Sequence, residues 1–145
     1  KTTINLALLC HEVSLEIKQI PALSNHKINI TSPATVNISA NEASLHILLR
    51  NLFDNACRYA NKDTTIEIVI SDSTLSILNE CPPIEDKTLA LLFERFKRGG
   101  DNKQQGSGLG LSICLQICQL NQFSLSLDNR KDGIEGLCTV LTFSP

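Results

Sequence analysis

Two stretches of this 145-residue chain combine residue types that could do chemistry. The first is Asn51, Asn55, Arg58 and Lys62. On a helix turning ~100° per residue these side chains fall within about 60° of one another, provided the last turn persists. Two carboxamides one turn apart, followed by cations, differ from the Glu/Lys mixture of an ordinary solvated face. A carboxamide oxygen ligates a hard cation without adding charge, and its NH2 donates to a phosphate. Magnesium keeps several waters and takes only one or two protein oxygens beside substrate phosphates. The stripe therefore suits a metal held against a polyphosphate. The bland alternative is a solvated helix face whose Asn residues are incidental.

The second stretch is Gly106-Ser107-Gly108-Leu109-Gly110-Leu111-Ser112, leading into an apolar helix. Alternating glycines let the backbone approach a ligand closely. Free amides at the following helix start, together with the helix dipole, make an anion site. No Lys-Ser/Thr follows the glycines, so this is not a Walker loop. It also follows a loop and lies late in the chain, unlike a dinucleotide fingerprint. A tight entry into a helix is the structural alternative.

Other elements must position these groups. Leu6, Leu9, Cys10, Val13, Ile17 and Ile20 recur at helical spacing up to Pro21, predicting a leading helix within residues 1–20 that could continue an upstream hairpin. His26–Ile30 and Thr35–Ile38 read as short strands. Ser39 with Glu42 is a capping-box pattern opening a helix through about Ala60, whose Leu45, Leu49, Leu52, Phe53, Ala56 and Ala60 face a sheet. Thr65–Ser71 and Leu75–Leu78 suggest a hairpin, and a helix is expected over Asp86–Phe93. Gly99–Gly108 has the composition of a loop, Leu109–Leu120 of a helix, and Ser124–Leu127 and Leu137–Phe143 of strands. Strands interleaved with about three helices predict an α/β (α+β) two-layer sandwich with a mixed, mostly antiparallel sheet, one domain over 1–145.

Hydrophobic residues make up 42% and charged residues 19%, the balance of a globular domain. A net charge of -2 and 4% aromatics offer neither basic patch nor stacking platform, so no nucleic-acid partner is expected. No apolar run approaches the ~20 residues of a membrane span. The opening KTTINLALLC is not a signal peptide, so a soluble domain is expected. Cys10, Cys57, Cys81, Cys114, Cys118 and Cys138 form no CxxC pair and read as buried small hydrophobes in a reducing cytoplasm. A metal or redox site is the alternative reading.

The order of the signals is more specific than either alone. Asn51-Leu-Phe-Asp-Asn55-Ala-Cys-Arg58-Tyr59-Ala resembles the N box of bacterial two-component sensor histidine kinases. Leu92-Phe93-Glu94-Arg95-Phe96-Lys97-Arg98 resembles their F box, and Gly106-Ser-Gly-Leu-Gly-Leu-Ser112 their second glycine box, with fitting spacing. The likeness covers essentially the whole chain. It implies the Bergerat ATP-binding fold shared with gyrase and mismatch-repair ATPases, and a domain that donates the γ-phosphate of ATP to a histidine elsewhere. Asn51, Asn55 and Arg58 would be catalytic, with Asn55 the magnesium ligand. Tyr59, Lys62, Asn79, Ile84, Arg95, Arg98, Gly106, Ser107, Gly108, Leu109, Gly110 and Leu111 would join them in holding ATP, with residues 85–107 as its lid.

The family's first glycine box normally reads Asp-x-Gly-x-Gly, its Asp accepting from the adenine amino group. Here the matching stretch is Asn79-Glu80-Cys81-Pro82-Pro83-Ile84. The amide keeps an acceptor but loses the charge, at about 1 kcal/mol. None of His11, His26 and His46 fits the phosphoacceptor pattern, although His11-Glu12 echoes it. The resemblance places the acceptor on an upstream dimerisation hairpin, with a response-regulator receiver as the next partner. It implies a monomeric fragment of a homodimeric parent, cytoplasmic and anchored at the inner membrane. Two alternatives stand beside it: a degenerate domain serving as a protein-interaction module, and a gyrase-type ATPase.

Overall fold

The computed structural model describes residues 1–32, 35–88 and 107–143, with residues 107–112 as backbone only. The elements run β1 (Thr2–Asn5), α1 (Leu6–Lys18), β2 (Lys27–Thr31), β3 (Asn37–Ala40), α2 (Glu42–Tyr59), β4 (Thr65–Ile70), β5 (Thr74–Glu80), α3 (Ser107–Asn121), β6 (Ser124–Asn129) and β7 (Gly136–Thr142). The main sheet has the order β2-β4-β5-β7-β6. β2 runs parallel to β4, which it reaches through the β3–α2 crossover, and the remaining neighbours are antiparallel. The helices form one layer: α2 lies between α1 and α3 and packs on β5, while α1 covers β2 and α3 covers β6. This is the expected two-layer α/β sandwich with a mixed, mostly antiparallel sheet.

Period-2 patterning decides which sheet face the helices cover. Ile66, Ile68 and Ile70 of β4 and Leu75 and Ile77 of β5 are buried, and all join one core with Leu45, Leu48, Leu49, Leu52 and Phe53 of α2. Five of the six cysteines are buried, with Cys138 partly so. Burial pushes the thiols of Cys10 and Cys114 up to about 12 and those of Cys57 and Cys118 up to about 11. They stay protonated at neutral pH and behave as small hydrophobes.

Three sequence expectations change. Residues 2–5, read as part of the leading helix, form a strand whose Thr2 to Asn5 pair with Ala40 to Asn37. Asn5 then caps α1 by accepting from Leu8 N at 3.2 Å. A four-residue strand paired only through tertiary structure has no period to show in the sequence. Ser39 is in β3 opposite Thr3 and is not the cap of α2. That role falls to Asn41, which accepts from Ser44 N at 2.9 Å. Finally, α3 begins at Ser107, two residues before the expected Leu109, so Gly108 lies within its first turn and not in the preceding loop. The expected Asp86–Phe93 helix is seen only as helical residues 86–88, and its remainder lies outside the described residues.

Among the described residues, Gly136 is sterically required. A Cβ on Gly136 would meet the carbonyl oxygen of Asn79 at 1.8 Å and Arg130 Cδ at 2.9 Å. Gly136→Ala should therefore destabilise the chain by more than about 2 kcal/mol, read as a shifted urea midpoint at unchanged slope.

A surface cluster ties α1 to α2: Glu16 accepts from Arg50 Nη1 at 2.9 Å and lies 2.8 Å from His46 Nε2. The His46 hydrogen bond, chiefly, holds the Glu16 carboxyl below its ordinary value. A carboxyl lowered in the folded state stabilises above its unfolded pKa and loses that contribution as pH falls through the folded one. Glu16→Gln should cost under about 1 kcal/mol at pH 7, and in urea titrations the difference from wild type should shrink as pH falls below the ordinary carboxylate range.

Candidate functional site

The C-terminal half of α2 and the end of β5 are stitched together. Asn79, on β5, donates from Nδ2 to Ala56 O at 3.1 Å. Its Oδ1 accepts from Leu137 N at 3.3 Å. Beyond the helix, Asn61 N donates to Glu80 O at 2.7 Å. Asn79 is 3% exposed, so its amide is a buried polar group satisfied by backbone on both sides. One N–H and one lone pair of that amide are left over.

Ala56 follows Asn55, and Asn55 breaks the usual rule for interiors. It is 8% exposed, and its Nδ2 has no hydrogen-bond partner among the described residues. A buried, unpaired amide costs about 1–3 kcal/mol. An unpaired amide therefore stands, among the described residues, at a site that α2 would otherwise fill with an apolar side chain. The amide offers an oxygen to a cation and an NH2 to a phosphate, and rotating it by half a turn exchanges the two. The donor set fits a hard divalent cation beside phosphate oxygens.

The other stripe residues behave differently. Asn51, one turn earlier, is half-buried, and its Nδ2 bonds to Ile47 O at 2.9 Å, leaving its oxygen available. Arg58 is exposed and donates from Nε to Asp54. It must exchange that partner to reach a phosphate. Tyr59 is 43% exposed at the last helical position. Lys62 is not on the helix at all, because α2 ends at Tyr59 with Ala60 extended. It sits instead in the Asn61–Thr64 turn, where Asp63 has φ 62°. The sequence placed it on the stripe by extending the helix one turn too far. The turn's bond to Glu80 nevertheless keeps Lys62 beside the end of β5.

After β5 the chain runs through Cys81, Pro82 and Pro83 to Ile84. Cys81 N donates to Glu135 O at 3.2 Å, and Ile84 is gripped by Asn129. Ile84 is half-buried, packing with Cys81, Leu137 and Leu127. On the glycine side, α3 starts at Ser107, so the first-turn amides of Ser107, Gly108 and Leu109 have no intrahelical acceptor, and Gly110 and Leu111 follow in the same helix. Arg95, Arg98 and Gly106, with most of the expected 85–107 lid, lie outside the described residues. An open pocket of about 380 Å³, lined by Leu78, Ser126, Asp128 and Cys138 among others, uses the strand positions that alternate with Ile77 and Asn79. It is therefore on the opposite sheet face and separate from this seam.

Residues 40–144 match the model of the histidine kinase-, DNA gyrase B- and HSP90-like ATPase family. The chain belongs to this family. It is a histidine-kinase-type ATPase domain, as the family and the relatives' names indicate. It is 39% identical over 104 residues to the sensor protein BasS of Salmonella typhimurium, covering 70% of this chain and 29% of BasS. To the sensor histidine kinase CssS of Bacillus subtilis it is 38% identical over 91 residues, 60% of this chain and 19% of CssS. The chain thus spans less than a third of the length of these curated relatives. The mycobacterial sensor histidine kinase MprB superposes with a TM-score of 0.80 at 19% identity, covering 98% of this chain and 97% of that one. The nucleotide-free catalytic domain of histidine kinase ThkA does so at 0.80 and 24%, covering 98% and 93%. These two likenesses carry the fold alone.

Sequence reasoning missed Asn129, Arg130 and Gly136, which hold the 79–84 segment in place. Asn129 and Arg130 have partners 45 and 51 residues away and Gly136 pairs with Glu80, and nothing local marks them. Among the described residues no helix is long and apolar enough to cross a membrane, and no group of three or more His, Cys, Asp and Glu side chains could hold a metal. If Asn55 is kept for a ligand at the expense of the ligand-free fold, Asn55→Leu should stabilise the ligand-free chain by about 1 kcal/mol in thermal unfolding. Loss of stability in that variant would make Asn55 an ordinary structural residue.

Proposed function

We propose that this domain binds ATP with Mg2+ and serves as the phosphate-donating half of a two-part histidine kinase. The observation that carries the reading is Asn55: a buried amide with an unpartnered Nδ2, one turn from Asn51, beside the α2–β5 seam and in a chain of this ATPase family. When bound, magnesium would supply charge neutralisation between phosphate oxygens, with Asn55 as its protein ligand and Asn51 holding its waters or a phosphate oxygen. Arg58, on leaving Asp54, and Lys62 neutralise the phosphate tail. Tyr59 packs near the nucleotide, and Asn79 and Ile84 line the base side. The free amides of Ser107, Gly108 and Leu109, with Gly106, Gly110 and Leu111 beside them, are assigned to the phosphates, as are the cations Arg95 and Arg98.

Phosphoryl transfer asks for positioning and charge neutralisation and for little covalent work by the protein. The bond from the γ-phosphorus to the ADP oxygen breaks as a bond to a histidine imidazole nitrogen forms, and the imidazole gives up its proton. That histidine belongs to a separate dimerisation hairpin upstream, and the phosphate passes on to an aspartate of a response-regulator receiver. The relatives are sensor proteins, which supports this sequence of partners. A homodimeric parent anchored in the inner membrane, with this domain cytoplasmic, completes the reading.

A second reading has its own observation. Asn79 is already bonded on both arms and the adjoining box holds Pro82 and Pro83, which fits a domain that binds no nucleotide and serves as a protein-interaction module. Titration calorimetry with a nonhydrolysable ATP analogue separates the two. Magnesium-dependent binding at or below millimolar ligand is expected, and its absence would favour the interaction module instead. Asn55→Asp, which sets a carboxylate against the phosphates, should weaken that binding by at least about tenfold while leaving far-UV circular dichroism unchanged. Wild-type affinity in the variant would remove Asn55 from the site.

A further inference from the structure

Beyond Glu80, paired with Gly136 on the last rung of β5, the chain leaves the ladder. Ile84 then has an N–H and a C=O with no strand to receive them. The side chain of Asn129 supplies both partners. Its Oδ1 accepts from Ile84 N at 3.1 Å and its Nδ2 donates to Ile84 O at 2.6 Å. A carboxamide alone among the short side chains presents one acceptor and one donor in this fork. It imitates one rung of β-sheet across 45 residues of sequence.

The clamp is itself well founded. Asn129 pairs through its backbone register with Leu137, and its N–H takes Asp128 Oδ1 at 2.8 Å. The next residue, Arg130, has a side chain only 4% exposed, held by Asp132 at 2.7 Å and 3.1 Å. Its Nη1 reaches the carbonyl of Asn79 at 3.4 Å. Between Cys81 and Ile84, Pro82 and Pro83 have fixed φ and no N–H to bond. The segment is therefore a stiff rod with two pins, Cys81 N–H on Glu135 O and Ile84 on Asn129. Without the second pin it can pivot as a whole about the first.

We propose that Asn129 is a positioning residue for the base side of the nucleotide site: its two-armed grip on Ile84 sets the wall against which the base lies. The inference rests on the reading of 79–84 as the base-side wall, and it names a residue outside the wall as the one that orients it. The phosphate side, built from α2 and the start of α3, does not depend on this pin.

That asymmetry gives the test. Binding of Mg-ADP and of Mg-tripolyphosphate is measured by displacement of a labelled ATP analogue in wild type, Asn129→Ala and Asn129→Asp. Removing the clamp should weaken ADP about five- to twentyfold, the effect of one or two lost hydrogen bonds, while tripolyphosphate stays within about twofold. Asn129→Asp keeps the acceptor for Ile84 N, loses the donor to Ile84 O, and should fall in the same direction. It reads the effect if Asn129→Ala does not fold. Equal weakening of both probes would make the residue merely structural, and unchanged ADP affinity would overturn the proposal outright. Wild type that binds neither probe would remove the nucleotide reading itself, and this inference with it.

Discussion

The geometry of this domain depends on a buried hydrogen bond between a strand side chain and a helix carbonyl. Asn79 Nδ2 on Ala56 O holds the end of α2 to β5, while the same amide's oxygen takes Leu137 N from the neighbouring strand. One carboxamide thus joins the helix carrying Asn51, Asn55 and Arg58 to the two strands from which the opposite wall emerges. In a water-excluded setting such a bond is strong only while every arm is satisfied, and a carboxylate in this place could not donate to Ala56. The exchange of the family's usual Asp for Asn is therefore more than a lost charge. It converts a residue expected to face the base into one that also fastens the scaffold.

Against this satisfied amide stands an unsatisfied one a helical step away. Asn55 is buried with no partner for Nδ2 among the described residues, in a helix whose other buried positions are Leu, Phe and Cys. Stability and function pull in opposite directions there. A core residue chosen for folding alone would be apolar, and under the proposed function a charged ligand is what satisfies the amide. Arg58 shows a milder form of the same logic, since its pairing with Asp54 shields a charge that phosphate could claim.

The base-side box shows how rigidity can replace permissiveness. Two glycines would let the segment take its shape by flexibility, whereas Cys81, Pro82 and Pro83 hold it by restricted dihedrals. A stiff segment must be aimed from its ends. Gly136 allows β7 to approach Asn79 closely, Arg130 is packed beside it, and Asn129 holds Ile84. The last turn before β7 has become the foundation of the wall.

The helices, the hairpin from Thr65 to Glu80 and the layered sheet were legible in the sequence because their apolar residues recur at 3.6 or 2, and periodicity is a local property. The N-box and glycine-box residues were legible for the same reason, being contiguous on one helix or at one helix start. The extent of α2 was not. A stripe reaching Lys62 is as regular as one ending at Tyr59, and only the bonds of Asn61 and Asn79 to the far side of the seam show where the helix must stop. Nor could composition reveal that β1 pairs with β3, that Asn79 has its arms taken, or that Asn129 grips Ile84. Each is decided by backbone groups that look alike in every residue and acquire partners only when distant segments meet. What the residues alone determined is the chemistry available, amides and glycine-lined N–H groups suited to a metal and a polyphosphate. Which amide is satisfied and which is left open was decided by tertiary structure, because burial and pairing are properties of the packed chain.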